Sequence, residues 1–176
     1  MATTTRTSTK TKARSGKTRR TGRRDPLAIT LLKKDHREVE GWFDEYEQLE
    51  GEAEKKALFD KIALALKVHT TIEEEIFYPE ERGDVEDDML DEAYVEHDGA
   101  KKLIAEIEAM APGDEYYDAK VKVLGEYIKH HVKEEEQPGG IFSQAKKGDE
   151  DLEAMGERMK ARKEELMAEL GGPPTN

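Results

Sequence analysis

The sequence predicts an all-α protein: an up-down-up-down antiparallel four-helix bundle with an additional C-terminal helix and a disordered N-terminal tail. Three observations predict it. Apolar residues recur at three- and four-residue steps over four stretches of similar length. Short turns containing Gly or Pro separate those stretches, as between antiparallel neighbours in a bundle. Aromatics make up only 6% of the chain and runs of β-branched residues are few, which argues against strands. At 176 residues there is material for one domain with a real core. Charged residues at 40% fit helices with thin apolar faces and strongly solvated outer ones.

Residues 1–25 form the tail, 26–146 the bundle and 147–176 a C-terminal helix with a frayed end. The tail is Thr, Lys and Arg with almost nothing apolar, so it cannot bury enough surface to fold alone. Residues 1–24 hold nine Lys and Arg and no acid, so a net charge of −12 leaves the rest of the chain at −21. An acidic body argues against nucleic acid as the main ligand of the folded part. The tail itself reads either as a solvating segment or as a weak electrostatic contact with nucleic acid or an anionic surface.

Pro26 suits a first helical position, with Asp25 as its cap. Leu32, His36, Val39, Phe43 and Tyr46 then form a helical stripe up to Gly51. Leu58, Ile62, Leu66, His69, Glu73 and Ile76 share one face of a second helix, which ends near Pro79–Gly83. A third begins around Asp87 and carries Leu90, Ala93, His97, Ile104 and Ile107 before Pro112 and Gly113. The fourth has Asp114 as candidate cap, carries Tyr117, Val121, Leu124, Ile128, His131 and Glu135, and stops at Pro138. An amphipathic stretch from Asp149 to Leu170 follows, placed either on the outside of the bundle or in self-association.

The histidines fall at one height. His36 lies 15 residues before Gly51 and His69 18 after it; His97 lies 16 before Gly113 and His131 18 after it. Across Gly83, His69 and His97 are each 14 away. Antiparallel neighbours equidistant from a turn are level, because each residue rises by a fixed amount. Glu73 and Glu135 each follow a histidine by four residues and so share its face. A carboxylate aimed at a core is costly unless a positive partner meets it. A single core histidine is commonly just hydrogen-bonded, but four in one layer with two in-phase glutamates point to metal. The metal ligands predicted are His36, His69, Glu73, His97, His131 and Glu135. His130 lies about 100° around the helix from His131 and is left at the periphery or surface. Glu74, Glu75, Glu134 and Glu136 read as solvated faces, and Trp42, Phe43, Tyr46 and Phe77 as packing.

The two halves repeat, with 33 residues from His36 to His69 and 34 from His97 to His131. Such pseudo-symmetry suits two ions bridged by two carboxylates. Imidazole and carboxylate ligands without sulfur fit iron, zinc, manganese or nickel, and dinuclear carboxylate sites in four-helix bundles favour iron or manganese. Histidine richness tilts the choice to iron. The chain has no cysteine, which removes disulfides and thiolate chemistry. No apolar run reaches the length of a membrane span and no signal-peptide core is seen, so the expected location is cytoplasmic.

The motifs LKKDH, HTTIEEEIFYP, EHDGAKKL and HHVKEEEQPGGIF resemble the four ligand-bearing helices of the hemerythrin family, in its bacterial form, the HHE cation-binding domain. The stretch QAKKGDEDLEAMGERMKARKEEL is similar to the C-terminal extension of bacterial members. The resemblance implies a centre of two non-haem iron ions with an oxo or hydroxo bridge, spanned by Glu73 and Glu135. It implies that His36 and His69 ligate one iron and His97 and His131 the other. Oxygen carriers of the family have a second histidine one turn after the third-helix ligand, where this chain has Lys101. Their fourth helix also has a longer spacing to an Asp than the His-x-x-x-Glu found here. Both departures turn the expectation from reversible oxygen transport to binding or sensing of oxygen, nitric oxide or peroxide, or to iron handling under oxidative stress. Glu40, one turn after His36, reads as solvent-facing. A di-iron peroxidase, catalase or oxidase is the competing reading, disfavoured because no nucleophile or acid–base pair is visible outside the ligands. A DNA-associated protective iron protein, acting through the basic tail, is the third.

Overall fold

The computed structural model describes residues 24–171. The basic tail and the frayed end expected from the sequence lie outside the described residues, apart from Arg24, Asp25 and Gly171. Four long helices form the bundle: α1 (Leu27–Tyr46), α2 (Glu52–Ile72), α3 (Asp87–Glu108) and α4 (Tyr117–Glu136). Neighbours in sequence pack as neighbours in space, and α4 closes the ring against α1. A short helix α5 (Ile141–Ala145) and the C-terminal helix α6 (Leu152–Glu169) complete the fold. Among the described residues there is no β-strand.

The apolar stripes build two clusters rather than one continuous core. Val39, Phe43, Phe59, Ile62, Ile104, Tyr117 and Leu124 fill one end of the bundle. Ile29, Leu32, Ile72, Phe77, Leu90, Phe142 and Met155 fill the other. The polar layer lies between them: on α1, for example, His36 separates Leu32 from Val39. Fully burying a side chain of this size contributes about 1.5–3 kcal/mol, so the flanking clusters offset the cost of a buried polar layer.

The expected helix ends are corrected at two caps. Pro26 itself is the residue before α1, and no side chain caps that helix. The Asp25 carboxylate instead accepts from Lys33 at 2.7 Å and Lys146 at 3.0 Å, tying the start of α1 to the end of α5. Asp114 caps the preceding turn rather than α4, accepting from the Ala111 N–H at 2.8 Å, while Gly113 takes the positive φ of 96° that the turn requires. The α6 start does have a side-chain cap, since Asp151 accepts from the N–H groups of Glu153 and Ala154, each at 3.1 Å.

Two features shape the core beyond the regular stripes. First, α2 does not run on regularly: Glu73–Phe77 form a π-helical turn, and Tyr78–Glu80 close the helix. An even 3.6-residue period aims Ile76 inward, but the wider turn leaves Ile76 half-buried and buries Phe77 and Tyr78 completely. Second, α6 takes one of the two placements left open for it, packing on the outside of the bundle, and adds to the core. It packs on α1, α2 and the π-turn, burying Met155 and Met159, and Gly156 lets it approach the start of α1. A Cβ on Gly156 would sit 2.5 Å from the Ala28 nitrogen.

Candidate metal centre

The four helices each deliver one imidazole to the layer between the two clusters. His36, His69, His97 and His131 are 2–5% exposed, and Glu73 and Glu135 are fully buried. The imidazoles face each other in pairs, with 3.1 Å between Nε2 of His36 and His69 and 3.1 Å between Nε2 of His97 and His131. Both carboxylates lie between the pairs. Glu73 Oε2 is 3.2 Å from His69 Nε2 and 3.4 Å from His97 Nε2. Glu135 Oε2 is 3.2 Å from His36 Nε2 and 3.7 Å from His131 Nε2. All six residues singled out from the sequence are thus brought together, in two groups: His36, His69, Glu73 and Glu135, and Glu73, His97 and His131.

Behind every imidazole stands a second carboxylate, and these form a closed circle. Asp35 of α1 faces Nδ1 of His69 on α2, at 3.6 Å. Glu74, just after α2, accepts from Nδ1 of His97 on α3 at 3.0 Å. Glu96 of α3 accepts from Nδ1 of His131 on α4 at 2.8 Å, and Glu136 of α4 accepts from Nδ1 of His36 on α1 at 2.8 Å. Each of these acids is the chain neighbour of a layer residue and serves the histidine of the next helix. At His36, His97 and His131 the hydrogen-bonded carboxylate fixes the proton on Nδ1 and leaves Nε2 turned toward the centre, the arrangement of metal-ligating histidines; at His69 the carboxylate stands just beyond hydrogen-bond distance.

Glu74 and Glu136 are therefore not the solvated residues that their sequence context implies. Lys101 reaches outward and ion-pairs with Glu74 at 2.6 Å, so it supports the layer without entering it. Glu40 pairs with Arg37 at 3.1 Å at the surface, and His130 is exposed. Phe77, Phe43 and Tyr46 are buried packing residues, as expected. Phe142 of α5 stacks on the His36 ring, with centroids 5.7 Å apart.

The residue that sequence reasoning missed is Tyr78. Its phenol is fully buried and donates to Glu135 Oε1 at 3.0 Å, with Glu73 Oε2 at 3.5 Å and His97 Nε2 at 3.4 Å. On a regular helix, residues five apart lie about 140° from each other, so Glu73 and Tyr78 would not share a face. The π-turn brings them together, with the Tyr78 N–H donating to the Glu73 carbonyl. The layer thus holds four imidazoles, with a phenol beside His97.

The charges of the layer perturb one another. Burial alone would depress the His36 pKa, but hydrogen bonds to Glu135 and Glu136 push it up to about 10. Burial and the neighbouring Glu135 push Glu73 up, to about 7. Burial opposes ionisation of Glu135 too, yet His131 and His36 hold it down at about 2. Burial, with Glu135 and Glu73 close by, holds the Tyr78 phenol well above its ordinary range. Even so, Glu73 Oε1, Glu135 Oε2, Asp35 Oδ2 and His69 Nδ1 are buried with no hydrogen-bond partner. Unsatisfied buried groups of this kind cost about 1–3 kcal/mol each. Two inward-turned Nε2 pairs and two shared carboxylates fit cations at the centre, which would satisfy the glutamate oxygens; Asp35 Oδ2 and His69 Nδ1 face each other outside it, 3.6 Å apart.

Residues 27–138 match the family model described as the hemerythrin HHE cation binding domain. A curated relative, a DNA nickase from Nostoc sp. (strain PCC 7120), is 27% identical over 145 residues, which is 82% of this chain. The matched region spans only 41% of that relative. Among solved structures, the crystal structure of a hemerythrin HHE cation binding domain-containing protein from Mycobacterium kansasii superposes with a TM-score of 0.68 at 24% identity. That match covers 81% of this chain and 88% of the other, and shows the shared fold. Among the described residues, no helix is long and apolar enough to cross a membrane. With its family match over most of the chain and its layer of buried histidines and glutamates, this chain belongs to the hemerythrin HHE cation-binding domain family.

Proposed function

We propose that the layer holds two non-haem iron ions and that the protein binds or senses oxygen, nitric oxide or peroxide. His36 and His69 would hold one ion and His97 and His131 the other, with Glu73 and Glu135 available to both. The observation that carries the reading is the paired Nε2 geometry, 3.1 Å in each half, with a carboxylate behind every imidazole. Two irons so held supply a redox-active pair for a small oxidant or nitric oxide.

The chain's own residues set the limits on that ligand. A void of about 20 Å³ adjoins the four imidazoles, walled by Val39, Leu66, Ile128 and Val132. That void has room for a water-sized or diatomic molecule. Phe142 covers the His36 ring, and apolar clusters flank the layer on both sides. Tyr78 supplies a phenolic proton at Glu135 Oε1, on a group whose burial keeps it protonated. Lys101, where the carriers place a histidine, favours sensing or iron handling over simple transport.

The test is iron analysis with an optical spectrum before and after exposure to oxygen. Two irons per chain and a charge-transfer band that responds to oxygen support the reading; a folded protein that stays metal-free after expression in iron-rich medium refutes it. Turnover of hydrogen peroxide that is lost in His69→Ala would favour an enzyme instead. A further reading places the protein near DNA: a relative named as a DNA nickase covers most of this chain, and residues 1–24 carry nine basic side chains. Salt-sensitive DNA binding that survives deletion of residues 2–24 would refute a role for the tail.

A further inference from the structure

The four carboxylates behind the histidines are not equally provided for. Asp35 has Lys163 of α6 at 2.5 Å, Glu74 has Lys101 at 2.6 Å and Glu136 has Arg37 at 2.5 Å. The fourth, Glu96, has no Lys or Arg partner among the described residues. It faces His130 Nε2 at 3.4 Å instead, and His130 Nε2 in turn lies 3.2 Å from Glu134 Oε1. Glu134 has no Lys or Arg partner among the described residues either. Three circle positions carry a cation; the fourth offers the ligands for one.

The group leads inward. A cavity of about 200 Å³ is lined by Glu92, Glu96 and Glu134 on its outer side and by His131 and Glu135 on its inner side. Glu135 is fully buried, and its Oε2, without a hydrogen-bond partner, turns to the central layer, so the cavity ends on a residue of that layer. The Glu96 carboxylate itself spans the gap, with one oxygen toward His130 and the other 2.8 Å from His131 Nδ1. A strongly acidic body raises the local concentration of cations at such a mouth.

We infer that His130, Glu96 and Glu134 form an outer divalent-cation site, and that it loads the buried centre through the cavity beside His131 and Glu135. One imidazole and two carboxylates suit Fe²⁺ or Mn²⁺, and the exposure of His130 suits an ion that arrives from solvent and moves on. Here two acids without a Lys or Arg partner among the described residues, an exposed imidazole and a cavity reaching the inner ligands come together. The loading role rests on the buried iron centre proposed above, whereas the outer site does not.

Two measurements test it. Titration of the purified protein with Mn²⁺, followed by electron paramagnetic resonance, gives one more bound equivalent per chain in the wild type than in His130→Ala or Glu134→Gln. Equal stoichiometry in all three overturns the outer site. Loss of that equivalent in a protein whose buried layer takes up no iron supports the outer site while refuting the buried centre. Anaerobic addition of Fe²⁺ to metal-free protein then gives uptake that is slower in His130→Ala by about tenfold, the scale on which groups around metal sites act. Equal uptake rates with the Mn²⁺ equivalent lost overturn the loading role.

Discussion

The N–H of Tyr78 donates to the carbonyl of Glu73 five residues back, and that single widened turn places the Tyr78 phenol 3.0 Å from Glu135 Oε1. The backbone irregularity and the side-chain contact are one device: a π-turn aims both a ligand-type carboxylate and a phenol into the same layer. Tyr78→Phe removes the donor and leaves Glu135 Oε1 without its hydrogen bond. Metal-free protein should lose about 1–3 kcal/mol by denaturant unfolding. Iron content should be retained, while the oxygen-dependent part of the optical spectrum changes.

The carboxylates behind the histidines predict effects on affinity without loss of a ligand. Asp35 lies between His69 and Lys163, so Asp35→Asn removes the charge behind the His69 ring. Metal affinity should fall about 10- to 100-fold, measured by competition with a chelator. Lys163→Met leaves the buried Asp35 without its cation and should weaken binding in the same direction. The C-terminal helix would then be a contributor to the centre and not an appendage.

That helix docks through Gly156, whose missing side chain lets it approach Ala28 and Leu27. Gly156→Ala forces the start of α1 and α6 apart at a cost of about 1–3 kcal/mol by thermal or denaturant unfolding. A silent substitution would contradict the packing described.

Protons stand in for cations in the metal-free protein, and this fixes its pH dependence. The folded His36 pKa is raised from 6.5 to about 10, so its contribution to stability is full below 6.5 and is lost as pH rises through about 10. Glu73, raised from 4.5 to about 7, acts in the same direction at lower pH. Glu135, lowered to about 2, contributes above 4.5 and loses its effect as pH falls toward 2. Metal-free protein should therefore lose stability as pH rises from mildly acidic toward 10. Metal binding should release protons and flatten that decline. Melting curves of both forms across pH 5–10, with proton release followed by a pH indicator, check both.

Much of this layer was legible in the sequence because short turns and a fixed helical rise make height countable. His36, His69, His97 and His131 could be placed level from their distances to Gly51, Gly83 and Gly113, and Glu73 and Glu135 from their four-residue spacing. The π-turn could not be read, since a regular period carries Ile76 inward and hides Tyr78. The supporting carboxylates were equally obscure, because Glu74 and Glu136 find their partners on other helices. One signal was present: each of Asp35, Glu74, Glu96 and Glu136 stands directly beside a layer residue. The location of α6 depended on tertiary contacts at Gly156 and Lys163 that an amphipathic pattern does not encode.

Quantifying iron per folded chain tests the buried centre most directly, in wild type and in a His36→Ala, His97→Ala pair of single variants. Two irons in the wild type, with binding weakened in each variant and the helical spectrum intact, is the predicted result. A folded wild-type chain without metal, or iron content unchanged in both variants, would contradict it.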